Sequence, residues 1–322
     1  VMPFSSGNER REPFRRRHSA PLALLLGASA LLAAAACSPG PSASAERSGK
    51  PKVLAAFYPL EWISTRVGGA DITVAGLTRP GVEPHDLELT PRQIADIEQA
   101  DLIVYIKGVQ PAVDEAVEQH AKDKAFDVAS ALATLPAGAQ EQAESGDAHE
   151  KVSYDPHVWL DPSRLATAAT ALGKRLGQAD GPHAAAYTGR AASASGELGA
   201  LDKEVQQGLG TCSARTIVTA HAAFGYLADR YKLKQVGISG LDPEAEPSPA
   251  RIAEVAGVAK REGVTTIFTE ELVSPKVAEV LAKEVGAKTA VLNPIESRPQ
   301  SGDYLSAARA NLSVLRTALG CS

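Results

Sequence analysis

Six of the seven histidines lie beyond residue 84, and three of these occupy settings suited to holding a ligand. His85 sits in Val82-Glu83-Pro84-His85-Asp86, between a predicted strand and a capped helix. His157 sits in Asp155-Pro156-His157-Val158-Trp159-Leu160-Asp161-Pro162, and His221 ends the strand-like run Val218-Thr219-Ala220-His221. Imidazole suits borderline-soft dications, so three that converge would make a site for Zn²⁺. His120 and His183 fall within or beside helical segments among polar neighbours, and His149 lies in an acidic stretch; these three are expected to be solvated. Three histidines with an open fourth position would also suit a zinc-dependent hydrolase. The chain lacks the His-Glu-x-x-His and Gly-x-Ser-x-Gly patterns, however, and no evident general base accompanies the histidines.

The elements that must position these residues read as alternating strands and helices, which implies βαβ units. In the first half, Val53 to Tyr58, Ile72 to Leu77 and Leu102 to Ile106 are apolar runs of strand length. Thr90-Pro91-Arg92-Gln93 supplies a helix N-cap, a proline at the first position and a glutamine at the third. In the second half, strands at Thr216 to Thr219, Gln235 to Ile238, Val264 to Phe268 and Thr289 to Leu292 are expected. Helices at Phe224 to Tyr231, Ala250 to Glu262, Pro275 to Glu284 and Tyr304 to Leu319 alternate with them. Between the halves, Leu165 to Leu176 is helical, and Ala184 to Leu209 carries Leu198, Leu201, Val205 and Leu209 at helical spacing. Gly189, Gly196, Gly199 and Gly208 oppose that helix, each by about 1 kcal/mol relative to alanine. A helix of this length spans about 35 to 40 Å, more than one lobe requires, and so reads as a strut. The expected fold is therefore α/β: two lobes (51–182 and 210–322), each a parallel sheet flanked by helices, joined by one long rigid linker helix (183–209). A continuous strut argues against large hinge closure and leaves loop movement for capture and release.

Net charge is −5 and aromatic residues make up 5% of the chain, which excludes the basic footprint of a nucleic-acid binder. The N-terminus is different in kind. Arg15-Arg16-Arg17 precedes an uncharged apolar run, Pro21 to Ala36, shorter than the about 20 residues that cross a membrane. Residues 1–36 therefore read as a secretory signal. Ala34-Ala35-Ala36 runs into Cys37, and the segment resembles a bacterial lipoprotein signal in which Cys37 would be lipidated. Residues 37–50, rich in Ser, Pro, Gly and Ala, form a tether. Outside the cytoplasm Cys212 and Cys321 are expected to pair, closing a long loop worth about 4 kcal/mol in the chain-entropy model.

Pro84-His85-Asp86 with its Thr90-Pro91 helix, Asp155-Pro156-His157-Val158-Trp159-Leu160-Asp161-Pro162, and Thr219-Ala220-His221-Ala222-Ala223-Phe224-Gly225-Tyr226-Leu227 together resemble the metal-binding lipoproteins of ABC importers. The likeness extends through Gly240 to Pro247 and Phe268-Thr269-Glu270, covering Lys52 to the C-terminus. It implies ligands at His85, His157 and His221, capture of Zn²⁺, and delivery to a membrane permease by a lipid-anchored, extracytoplasmic monomer. Histidine at the third position resembles the zinc-type members; manganese-type members generally carry glutamate there, and a manganese- or iron-binding protein of the same family is the alternative. The family's fourth ligand is usually an aspartate in the segment matching Val291-Leu292-Asn293-Pro294-Ile295. Here Asn293 stands in its place, with water or a nearby glutamate, Glu270 or Glu271, as substitutes. An adhesin or sensor that uses metal structurally is a second rival reading from another class.

Overall fold

Val53, Leu54 and Ala55 are buried, and Leu102, Ile103 and Val104 beside them are fully so, as expected of strands covered on both faces. The computed structural model describes residues 49–138 and 153–322. The expected signal peptide, Cys37, all but the end of the tether, and the acidic stretch with His149 lie outside the described residues. The described residues belong to one compact unit, 47–322.

The first sheet contains β1 (Lys52–Ala55), β2 (Thr73–Gly76), β3 (Leu102–Tyr105) and β4 (Ala125–Asp127) in the order β2-β1-β3-β4, all parallel. Its helices are α1 (Tyr58–Gly68), α2 (Pro91–Gln99) and α3 (Pro111–His120). The capping signal at Thr90 marks the start of α2. Thr90 Oγ1 accepts from the Gln93 N–H, and the Gln93 side chain accepts from the Thr90 N–H. Neither α3 nor β4 carries so clear a signal. The first has an apolar face of only Val113, Ala116 and Val117, and the second is three half-buried residues.

The second sheet contains β5 (Thr216–Thr219), β6 (Lys234–Gly237), β7 (Thr266–Thr269) and β8 (Lys288–Val291) in the order β6-β5-β7-β8. It too is wholly parallel, with α6 (Gly225–Tyr231), α7 (Pro249–Arg261), α8 (Lys276–Val285) and α9 (Tyr304–Leu319) around it. The two sheets thus share one strand order, and each has its topological reversal at its first strand, where open α/β sheets bind ligands.

Between them run α4 (Pro162–Ala179) and the 25-residue α5 (Ala184–Gly208), packed side by side. A Cβ on Gly173 would lie 2.7 Å from the Ala191 methyl, so the α4–α5 pair depends on that small residue. Gly189, Gly196 and Gly199 face open space, while Tyr187, Ala191, Ala194, Leu198, Leu201 and Val205 form the buried stripe. Packing of that stripe outweighs the unfavourable helix propensity of the glycines. Arg190 on α5 donates to the carbonyls of Val67 and Gly68 in the first lobe. Farther along, Asp202 holds Arg230 on α6, and Glu204 holds Arg309 on α9. One continuous apolar core carries residues of both lobes, including Phe57, Trp159, Phe224 and Tyr304. Cys212 and Cys321 form a disulfide across a sequence separation of 109, tying the start of the second lobe to the end of α9. Among the described residues no helix is long and apolar enough to cross a membrane.

Candidate metal centre

Each histidine of the predicted triad is presented by a loop at the interior of the molecule. The loop after β2 carries His85, held through Thr78, whose N–H and hydroxyl both donate to the Ala56 carbonyl. The His85 N–H donates to Glu83 Oε1 at 3.2 Å. His157 precedes a single helical turn, Val158–Leu160, and Trp159 in that turn is fully buried. His221 lies two residues beyond β5; its carbonyl accepts from Thr219 Oγ1 at 2.6 Å and from Gln235 Nε2 at 3.2 Å.

The three rings meet. Their centres are 5.4 Å (His85–His157), 5.9 Å (His85–His221) and 5.3 Å (His157–His221) apart. Glu296, from the loop after β8, completes the group: its Oε1 lies 3.5 Å from His85 Nε2 and 3.9 Å from His221 Nε2. One donor atom from each of these four residues lies within 4.8 Å of all the others, and all four residues are buried. Neither oxygen of Glu296, nor Nε2 of His157 or His221, has a hydrogen-bond partner among the described residues. Buried polar atoms are normally satisfied, so unpaired ones converging on one point mark a place for a cation.

Behind two of the rings stand carboxylates. His157 Nδ1 lies 2.7 Å from Asp155 Oδ1, and His221 Nδ1 lies 2.7 Å from Glu270 Oε2. The same carboxylates accept from the backbone N–H of His157 and His221 at 2.9 and 3.1 Å. A carboxylate accepts, so each Nδ1 carries a proton, and each ring, when neutral, presents its Nε2 lone pair to the centre.

Burial, reinforced by the positive potential of His221 and His85, pushes His157 well below the usual histidine range. Burial also works against the charged form of His221, but Glu270, Glu296 and Glu83 together outweigh it and raise this ring to about 9. Burial raises Glu296 to about 8, with the Glu270 charge adding to the effect and His221 opposing it. Glu83 is raised to about 7, first by burial and then by Glu296. The cluster therefore holds protons that a dication must displace.

A family model described as ZnuA, zinc-uptake complex component A, periplasmic, matches residues 53–318. The chain belongs to this family. Within it, the zinc-binding lipoprotein AdcA of Streptococcus pneumoniae serotype 4 is 36% identical over 310 residues, covering 92% of this chain and 60% of AdcA. The high-affinity zinc uptake system protein ZnuA of Bacillus subtilis is 34% identical over 309 residues, covering 92% of this chain and 96% of its own. The crystal structure of Zn(II)-bound AdcA from Streptococcus pneumoniae aligns with a TM-score of 0.70 at 34% identity, over 84% of this chain and 58% of AdcA. The chain spans little more than half the length of the AdcA relatives, 56% for that of Streptococcus pyogenes serotype M3.

The fourth position differs from the expectation that the likeness to the ZnuA family raised. Both ends of the Asn293 amide are engaged elsewhere: Oδ1 accepts from the Ile295 N–H at 2.6 Å, and Nδ2 donates to Glu271 Oε2 at 3.0 Å. Asn293 is a turn residue, and the carboxylate that reaches the histidines is Glu296, three residues later. Glu270 stands behind His221 and outside the cluster of four, and Glu271 is spent on Asn293. In the sequence, Glu296 carried one signal, an acid in the loop after the last strand. His120 pairs with Glu98 and His183 with Asp180, both far from this arrangement in character, on half-exposed surfaces.

Proposed function

We propose that this chain captures Zn²⁺ outside the cytoplasm on His85, His157, His221 and Glu296 and delivers it to the permease of an ABC-type importer. The observation that carries the reading is the buried set of three imidazole nitrogens and one carboxylate oxygen, with two of the imidazoles oriented by carboxylates behind them. Three nitrogen donors and a single oxygen suit Zn²⁺ better than Mn²⁺, which prefers oxygen-rich shells. A hydrolytic site needs an open coordination position for water, whereas here a protein carboxylate occupies the fourth place. Family membership supports transport over catalysis. Residues 1–37, outside the described part, would supply export and a lipid anchor at Cys37, and the chain would work as a monomer.

Titrating metal-free protein with Zn²⁺ and Mn²⁺ against chelators of known affinity tests the reading. One Zn²⁺ per chain, bound far more tightly than Mn²⁺, is expected; equal or tighter Mn²⁺ binding would sink the zinc assignment. Glu296→Ala should weaken zinc by more than the about 10- to 100-fold typical of losing an outer partner. Asn293→Asp should retain one zinc per chain. The reverse ranking of these two variants would return the fourth position to residue 293.

A further inference from the structure

The two carboxylate-backed histidines are held by their partners, but Glu296 has no such backing. Its placement depends on the loop that carries it. Ile295, immediately before it, is fully buried and adopts φ 58°, a left-handed conformation that β-branched residues strongly disfavour. Such a residue persists only where its surroundings over-determine it. On the inner side those surroundings are Trp159, whose Nε1 donates to the Pro294 carbonyl at 2.7 Å, and Asn311 on α9, which bonds both backbone groups of Asn293 at 3.0 and 2.6 Å.

On the outer side the two residues after Glu296 reach the opposite lobe. The Gly81 N–H donates to Ser297 Oγ at 2.7 Å, and Gly81 lies on the same loop as His85. Arg298 pairs with Glu61 on α1, and its guanidinium lies 5.6 Å from the Tyr58 ring centre. The Trp159 tie is buried and the Asn311 ties are partly so. The Arg298 and Glu61 side chains are 54% and 23% exposed, so this is the part of the support that solvent or a partner can reach.

We infer that Arg298, paired with Glu61, is a positioning residue for the metal centre: a surface latch that holds the strained Glu296 loop against the His85 loop and sets how long the cation stays. With the latch open, relaxation at Ile295 carries Glu296 away first and leaves a three-histidine site with one coordination position open. This inference rests on the zinc-capture reading. Exposed ion pairs contribute little, so loss of the latch should accelerate release by about two- to fivefold and leave binding intact.

The test is zinc dissociation from the full chain, loaded with one equivalent of Zn²⁺ and mixed rapidly with excess fluorescent chelator. Arg298→Gln and Glu61→Gln should each speed dissociation by that factor, with no change in the melting temperature of the metal-free protein. The exchanged pair, Glu61→Arg with Arg298→Glu, should restore a slower rate. Arg309→Gln removes a similarly exposed pair from α5 and α9 and should not alter the rate. Unchanged rates in both single variants, or an equal acceleration in Arg309→Gln, would overturn the latch. A wild-type chain that takes up no zinc would overturn the capture reading, and this inference with it.

Discussion

A metal bond to imidazole needs a nitrogen without a proton, and at this site that requirement is met by residues that never touch the metal. Asp155 and Glu270 hold the Nδ1 protons of His157 and His221, which makes Nε2 the atom each ring offers the metal once the ring is neutral. Replacing Glu270 by glutamine should cost about 10- to 100-fold in zinc affinity, measured by chelator competition, because the ring loses its charged acceptor. The protons on the cluster give a second expectation. The carboxylates around His221 raise it to about 9 and burial raises Glu296 to about 8, so this coupled pair retains proton in the metal-free protein at pH 7. Zinc requires both to be deprotonated, so affinity should rise from pH 6 to pH 9. Binding at pH 7 should release protons, which calorimetry in buffers of different ionisation heat would count. His157, already neutral, contributes none. The three histidines were legible because each sits in its own ordered sequence pattern. Glu296 was not, since its position follows from a left-handed turn at Ile295, and isoleucine is the kind of residue that gives no sign of such a turn.

The elements explain how loops from two sheets come to share one point. Both sheets carry the same strand order, and the loops at the carboxyl ends of β2, β5 and β8 supply three of the four residues. The fourth, His157, belongs to a crossing segment clamped from the second lobe. Tyr226 Oη donates to the Asp155 carbonyl at 2.6 Å, Tyr304 Oη donates to the Trp159 carbonyl, and the Trp159 indole donates to the Pro294 carbonyl. Trp159→Phe should therefore loosen two site loops together. Removing the donor from a buried carbonyl should cost about 1 to 3 kcal/mol, read by urea denaturation, and zinc affinity should fall with it. Local chemistry was readable where it was strong, as in the Thr90 cap and the buried runs of β1, β3 and β5. The glycines of α5 pointed the other way, because propensity is a property of the isolated segment while its stability comes from the stripe packed on α1 and α4.

At the scale of the whole molecule, the chain is drawn together at its end. The Cys212–Cys321 bond is flanked by backbone bonds from Ser213 to Gly320 and from Ala214 to Leu319. Cys321→Ser should lower stability by about 2 to 4 kcal/mol, seen as a lower denaturation midpoint, while one zinc per chain is still bound. The apolar core that passes from Phe57 and Trp159 to Phe224 and Tyr304 without a break has its own consequence. The two lobes look like modules but are not separable parts. Cut at the linker helix and produced singly, each half would show water the greasy face it normally presses against the other, and would clump or seek its missing partner. A gene encoding either half would yield an incomplete object.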